Sequence, residues 1–230
     1  MKKAVVLTSG GLDSTTCLGI AESEEREIFP LSIEYGQKHY REINAIDAVV
    51  YLFRRRGGKV HELKRVKIDL RSIGGSALTD AKIDVPIERN EDEMSSAIPP
   101  TYVPARNTIL LSIALAYAEV VEADEIWIGA NQVDYSGYPD CREEYLEAFA
   151  ILGNLATKRG VEGNPIFIRA PLLKLTKAEI IKKGMELGVP YHLTWSCYQG
   201  GEKACGKCDS CILRLKGFEE AGKEDPIDYA

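Results

Sequence analysis

The run Lys3-Ala4-Val5-Val6-Leu7-Thr8-Ser9-Gly10-Gly11-Leu12-Asp13-Ser14-Thr15 decides the fold. Its first six residues form a short apolar run rich in β-branched residues, as a buried strand does, and two glycines stop it. From Leu12 to about Ala21 the pattern turns helical. Adjacent glycines between strand and helix let the backbone take positive φ and bring its N–H groups against a ligand. The helix start adds the positive end of its dipole, and Ser9, Ser14 and Thr15 add hydroxyls, so the turn suits phosphate or pyrophosphate. A plain tight turn capped by Ser and Asp is the alternative. Two familiar nucleotide loops are excluded. No Lys follows in the Walker A position, and after Gly10-Gly11 the next glycine is Gly19, too far for the dinucleotide fingerprint.

Outward from this turn, strands and helices alternate. Strands are predicted at 28–34, 60–68, 125–129 and 165–170, and helices at 39–55, 106–121, 141–159 and 176–187. Pro30 weakens the second strand. In 106–121, residues Ile109, Ile113, Ala116, Tyr117 and Val120 mark one helical face. Thr176 and Glu179 form a capping box for the last helix. Residues 71–104, with two glycines and four prolines, read as a long irregular segment. The βα alternation implies an α/β fold, a parallel sheet with helices on both faces and right-handed crossovers. Ligands then bind beyond the carboxyl ends of the strands. Residues 1–190 read as the nucleotide-binding α/β domain, and 191–230 as a smaller cysteine-bearing element.

The 230 residues are 45% hydrophobic and 28% charged, ordinary globular values. Lys plus Arg number 29 against 35 Asp plus Glu, a net charge of −6, which offers no chain-wide attraction to a nucleic-acid backbone. No apolar run approaches the roughly 18–20 residues of a bilayer span. The opening residues are too short for a signal peptide, so a cytoplasmic location is expected.

Six cysteines are unevenly placed. Cys17 and Cys141 stand alone, while Cys197, Cys205, Cys208 and Cys211 fall within fifteen residues. Four clustered thiols in a reducing compartment read as metal ligands, not a disulfide framework. Four thiolates complete a tetrahedral shell, the arrangement of a structural zinc site. An iron–sulfur cluster is the competitor, but the ferredoxin run needs a fourth Cys three residues on, and position 215 is Leu215.

Elsewhere, Arg106 opens a helix and suits phosphate or carboxylate charge. Lys177 opens another, where a cation reaches phosphates. The loop after the Trp127 strand concentrates Asp134, Tyr135, Ser136, Tyr138, Asp140 and Arg142. Its aromatics suit stacking on a heterocycle and its carboxylates suit the N–H groups of one; a well-made turn with an Asp cap is the alternative. Cys141 reads as a packing residue, since no His stands near it in sequence.

The Ser-Gly-Gly-x-Asp-Ser loop, its place after the first strand and its lack of Lys resemble the pyrophosphate (PP) loop of the ATP-pyrophosphatase superfamily. That resemblance implies an adenine nucleotide alpha hydrolase-like, Rossmann-like sheet. Ser9–Thr15, Tyr35–His39, Gly75–Thr79, Tyr102–Asn107, Ser136–Arg142 and Trp195–Tyr198 with its trailing cysteines together resemble one branch, the 7-cyano-7-deazaguanine synthases. Their order is kept over nearly the whole chain; departures are confined to 65–71 and 88–96.

The resemblance implies an enzyme, an ATP-dependent C–N ligase. It would turn 7-carboxy-7-deazaguanine and ammonia into the nitrile precursor of queuosine or archaeosine. It implies that Leu7, Thr8, Ser9, Gly10, Gly11, Leu12, Asp13, Ser14, Thr15, Thr16 and Cys17 form the ATP site, with Mg²⁺ near Asp13 and adenine near residues 33–35. Asp13, Ser14, Arg106 and Lys177 are the catalytic candidates. Residues Asp134 to Ser136, Tyr138, Asp140 and Arg142 face the substrate. Structural Zn²⁺ in the four-cysteine site and a homodimer are also implied, with small-molecule partners and neither direct nucleic acid nor membrane. The alternative function is a tRNA-base-modifying, thiolating enzyme of the same superfamily, which would need a basic face that only residues 54–56 and 64–67 begin to supply.

Overall fold

The computed structural model describes residues 1–37, 40–132 and 138–230, and of residues 40, 42, 43, 91 and 95 only the backbone. Five parallel strands form one sheet in the order β3-β2-β1-β4-β5. They are β1 (Lys3–Leu7), β2 (Glu27–Glu34), β3 (Lys64–Lys67), β4 (Glu125–Trp127) and β5 (Phe167–Arg169). The helices are α1 (Leu12–Ser23), α2 (Tyr40–Arg55), α3 (Glu91–Ser95), α4 (Arg106–Val121), α5 (Glu143–Ala156), α6 (Lys158–Val161), α7 (Lys177–Glu186) and α8 (Asp209–Glu220).

Period-two alternation in the central strand splits the core in two, as both-sided burial demands. Ala4 and Val6 pack with Leu18, Val49, Phe53, Ile180 and Phe218 under α1, α2, α7 and α8. Val5 and Leu7 pack with Leu111, Ala114, Ala118 and Phe149 under α4 and α5. Helices therefore cover both faces. Among the described residues no helix is long and apolar enough to cross a membrane.

Pro30 sits inside β2, opposite Val6. Backbone groups of Ile28 pair on the β3 side, with Lys59 and His61, so the nitrogen of Pro30 faces that side too. Regular pairing with β3 begins only at Leu31 and Lys64, so the missing N–H falls where no ladder bond is due. The third strand is accordingly four residues long rather than nine, with a lone bridge at Val60. The fourth and fifth are also shorter than their apolar runs.

Three further readings need correction. The buried face of α4 is Asn107, Leu111, Ala114 and Ala118, whereas Ala116 and Val120 are exposed. Apolar residues surround this helix, so periodicity could not tell the sheet-facing side. The helix expected over 141–159 is interrupted. A 3₁₀ turn (Pro139–Cys141) precedes α5, and Thr157 starts α6 by accepting the Gly160 N–H through its side chain. The irregular segment 71–104 contains α3, where Asn90 and Glu93 form a capping box.

At the amino-terminal edge of the sheet, the Glu125 carboxylate is fully buried. Arg26 Nε (2.8 Å) and Trp127 Nε1 (3.0 Å) donate to Oε2, and Arg169 (3.1 Å) donates to Oε1. Burial pushes its pKa up, but the Arg26, Trp127 and Arg169 hydrogen bonds outweigh burial and hold it below the usual value. A lowered folded pKa stabilises the fold above the unfolded value, about 4.3, and that stability disappears as pH falls through the folded pKa. Glu125→Gln is expected to lose roughly 3 kcal/mol at neutral pH. In urea melts, the gap to the parent protein should close on acidification below about pH 4; a gap that widens there would reject this account.

Candidate active site

Strand order reverses between β1 and β4, so the loops leaving their carboxyl ends open to opposite faces and leave a crevice. A cavity of about 260 Å³ lies there. The loop after β1 forms its floor. Thr8 continues the ladder, its N–H donating to Leu31 O at 2.8 Å, and Gly10 then takes φ +90°, which only glycine adopts freely. Ser9 and Ser14 lock the turn: the Ser9 N–H donates to Ser14 Oγ (3.2 Å) and the Gly11 N–H to Ser9 Oγ (3.2 Å). Gly11 is the N-cap of α1 and has no side chain to cap it. The first-turn N–H groups of α1 are thus offered to the crevice, an anion-binding arrangement. The β4 exit is pressed against this turn: a Cβ on Gly129 would stand 3.1 Å from the Asp13 carbonyl carbon and the Ser14 nitrogen.

Two cations meet over the loop. The capping box at Thr176 starts α7 so that Lys177 is its first residue. Lys177 Nζ donates to both oxygens of Asp13, at 2.8 and 2.9 Å. Asn131 ties the β4 exit to the turn before α7 by donating to Leu172 O and Leu175 O. From the other side comes Arg106, first residue of α4. Ala105 before it takes φ 52°, and its N–H donates to the Tyr102 hydroxyl. The Arg106 guanidinium lies over the Tyr35 ring and donates to its hydroxyl at 3.2 Å. Burial works against its charge, yet Tyr35, Tyr138 and Tyr198 leave the guanidinium pKa raised. With Arg106 and Lys177 against Asp13, the one carboxylate among the described lining residues, the cavity is cationic overall.

Leu7, Thr8, Ser9, Gly11, Leu12, Asp13 and Ser14 line this cavity, as do Arg106, Lys177 and Tyr138. Gly10, Thr15, Thr16 and Cys17 are not among its lining residues. Thr15 donates back to Gly11 O, Thr16 meets the Tyr191 hydroxyl at 2.8 Å, and Cys17 is in the core, its thiol pushed up by burial. Asp140 accepts the Asn107 N–H at 2.9 Å and so caps α4, while the exposed Arg142 donates to Pro139 O; neither lines the cavity. Asp134, Tyr135 and Ser136 lie outside the described residues. Cys141 does line the cavity, with its thiol raised to about 11 by burial and no base beside it in the hydrogen-bond network, consistent with packing.

The tail supplies a wall that sequence reasoning did not assign: Trp195, Ser196, Tyr198 and Ser210 all line the cavity. The Trp195 N–H donates to Gly10 O at 3.0 Å, joining this wall to the glycine turn. The signal was present as an aromatic and hydroxyl run attached to the first clustered cysteine.

The four sulfurs of Cys197, Cys205, Cys208 and Cys211 lie within 4.8 Å of one another. A tetrahedral zinc–thiolate centre has sulfurs about 3.8 Å apart, and Cys205 and Cys211 stand at 3.9 Å. Backbone N–H groups of Gln199 and Cys205 donate to Cys197 Sγ, and those of Lys207 and Cys208 to Cys205 Sγ. Such bonds stabilise thiolates. Hydrogen bonds from Cys208 and Cys211 pull Cys197 down, whereas sharing with Cys197 pushes Cys208 up to about 12. The cluster thus fits a divalent cation that lets all four sulfurs ionise. Around it, Ile87 bridges to Cys208, and Arg89 pairs with the buried Asp209 at the start of α8.

A 4-thiouridine synthetase bound to RNA and ATP superposes over 99% of this chain and 47% of its own, with a TM-score of 0.50 and 20% identity, a likeness of fold alone. Sequence relatives are much nearer. The chain is 57% identical to 7-cyano-7-deazaguanine synthase 2 of Desulfitobacterium hafniense (strain Y51), over 100% of this chain and 94% of that protein. It is also 57% identical to the 7-cyano-7-deazaguanine synthase of Acetivibrio thermocellus, over 100% and 98%. The family model described as queuosine biosynthesis protein QueC matches residues 3–222, and on that match and these identities the chain belongs to the QueC family.

Proposed function

We propose that this chain is an ATP-dependent C–N ligase that converts 7-carboxy-7-deazaguanine and ammonia into 7-cyano-7-deazaguanine, within queuosine or archaeosine biosynthesis. One observation carries the reading: an uncapped helix start, two cations and a carboxylate converge on one cavity at the sheet's switch point. A carboxylate is a poor acyl acceptor because its departing group would be oxide. ATP supplies the group that turns this oxygen into a leaving group, first on the acid and again on the amide, which then loses its last oxygen as the nitrile forms.

The residues present fit this task. The glycine turn and the first N–H groups of α1 hold phosphate oxygens. Lys177 and Arg106 stabilise charge that builds on the transferred group and the leaving group. Asp13 fixes the Lys177 ammonium and would hold Mg²⁺, which neutralises polyphosphate charge when bound. Tyr35, at the carboxyl end of β2, flanks the adenine position. Tyr138, which lines the cavity, borders the deazaguanine position. Zinc in the four-cysteine site would fasten 191–230, the smaller element, onto the nucleotide-binding domain.

A cytoplasmic homodimer completes the proposal. Val120, Ile151, Leu152 and Leu155 on α4 and α5 are apolar and more than half exposed, and they are the side chains a partner copy would cover. For the activity, the purified chain incubated with the acid, ATP, Mg²⁺ and ammonium should give amide and then nitrile by mass spectrometry. ATP bound without either product would reject the assignment.

A further inference from the structure

The tail wall holds a hydroxyl that accepts a hydrogen bond from a buried guanidinium and lines the cavity. Arg214, on α8, is 2% exposed. Its Nε and one NH2 donate to the Asp225 carboxylate at 2.7 and 2.9 Å, and Asp225 also accepts the Tyr229 hydroxyl at 2.6 Å. The remaining guanidinium donors go to Thr194 Oγ1 (2.8 Å), Ser196 Oγ (3.3 Å) and Tyr191 O (3.2 Å). Arginine has donors only, so Ser196 Oγ accepts here. Its own proton finds no acceptor among the described residues, and Ser196 lines the cavity. One residue earlier, Trp195 is bonded through its N–H to Gly10 O, which places Ser196 beside the glycine turn.

We infer that Ser196 is a further ligand-binding residue. It donates a hydrogen bond to a phosphate oxygen of the nucleotide held at the glycine turn, and Arg214, clamped by Asp225, is the positioning residue that keeps its proton aimed into the cavity. This rests on the reading that the turn binds ATP. A phosphate is the oxygen that fits, because the turn, the α1 start and Lys177 all present positive ends to the same place. The carboxylate of the heteroaromatic acid is the other anionic acceptor in the reaction, and the test separates the two.

Isothermal titration of ATP into the full chain and into Ser196→Ala and Ser196→Thr decides it, with thermal melts as the control for folding. A hydrogen bond to a charged acceptor is worth roughly tenfold or more in affinity. Ser196→Ala is expected to lose about that factor for ATP while melting with the parent protein, and Ser196→Thr, which keeps the hydroxyl, to recover most of it. Titration of 7-carboxy-7-deazaguanine should be unchanged in both. If the parent protein fails to bind ATP, the reading of the turn falls and takes this inference with it. Should the parent bind ATP and Ser196→Ala bind it equally well, or lose only the acid, the assignment to Ser196 alone is overturned.

Discussion

Lys177→Met lowers kcat roughly 10²–10³-fold, as loss of one preorganised charge at a reacting centre does elsewhere. The substitution is chosen for its shape. The aliphatic stem of Lys177 is packed against Gly217 of α8, where a Cβ would collide with it. Methionine keeps that stem and removes only the ammonium. Asp13 loses its partner in the same stroke, but its side chain is partly exposed and water can satisfy it. The effect should therefore appear in turnover more than in the melting temperature. Because the charge acts on a group that becomes more anionic as the reaction proceeds, kcat should fall further than the KM for ATP rises. A variant that turns over at the parent rate would remove Lys177 from the machinery and leave its pair with Asp13 as a purely structural contact.

The second large effect concerns the four-cysteine centre. Stripping the metal with a strong chelator leaves four thiols to share protons within a few ångströms, and replacing the buried Cys208 by Ser leaves three. Structural zinc binds small thiolate-containing sites with an apparent free energy of about 10–16 kcal/mol at neutral pH, which becomes folding free energy. Its loss should free the segment 197–211 and, with it, the Ile87–Cys208 bridge and the Arg89–Asp209 pair. Trypsin should then cut at Lys203 and Lys207, both in reach of this loosened segment, while the sheet stays protected. Metal analysis of the untreated protein is expected to give one zinc per chain in a colourless solution. A brown protein that contains iron would overturn the zinc assignment, and an unchanged proteolysis pattern after chelation would overturn the structural role.

What the sequence revealed follows the range of the interactions concerned. The glycine turn and the Thr176–Glu179 box are local patterns, and both are found at the residues expected. The four cysteines are close in sequence and close in space. By contrast, Asp13 and Lys177 are 164 residues apart, and only the return of α7 to the mouth of β1 joins them. Trp195 and Ser196 were hidden for the same reason: the tail folds back across the sheet end to reach Gly10. The face of α4 was illegible because a helix apolar on all sides carries no period. The sheet chose Leu111, Ala114 and Ala118, small and aliphatic residues that allow close approach. Pro30 weakened a strand reading that holds at β2. Its residue type argues against an interior strand, yet its nitrogen happens to face a gap in the neighbouring ladder.

The bond from Trp195 to Gly10 bears on how the molecule comes into being. As the chain leaves the ribosome, the sheet and its glycine turn are synthesised well before the segment that walls off the crevice. Nascent chains would thus carry the glycine turn with one side of its crevice still open to water until residues 195–210 have been translated and docked. Completion of the pocket therefore waits on the folding back of residues 195–210.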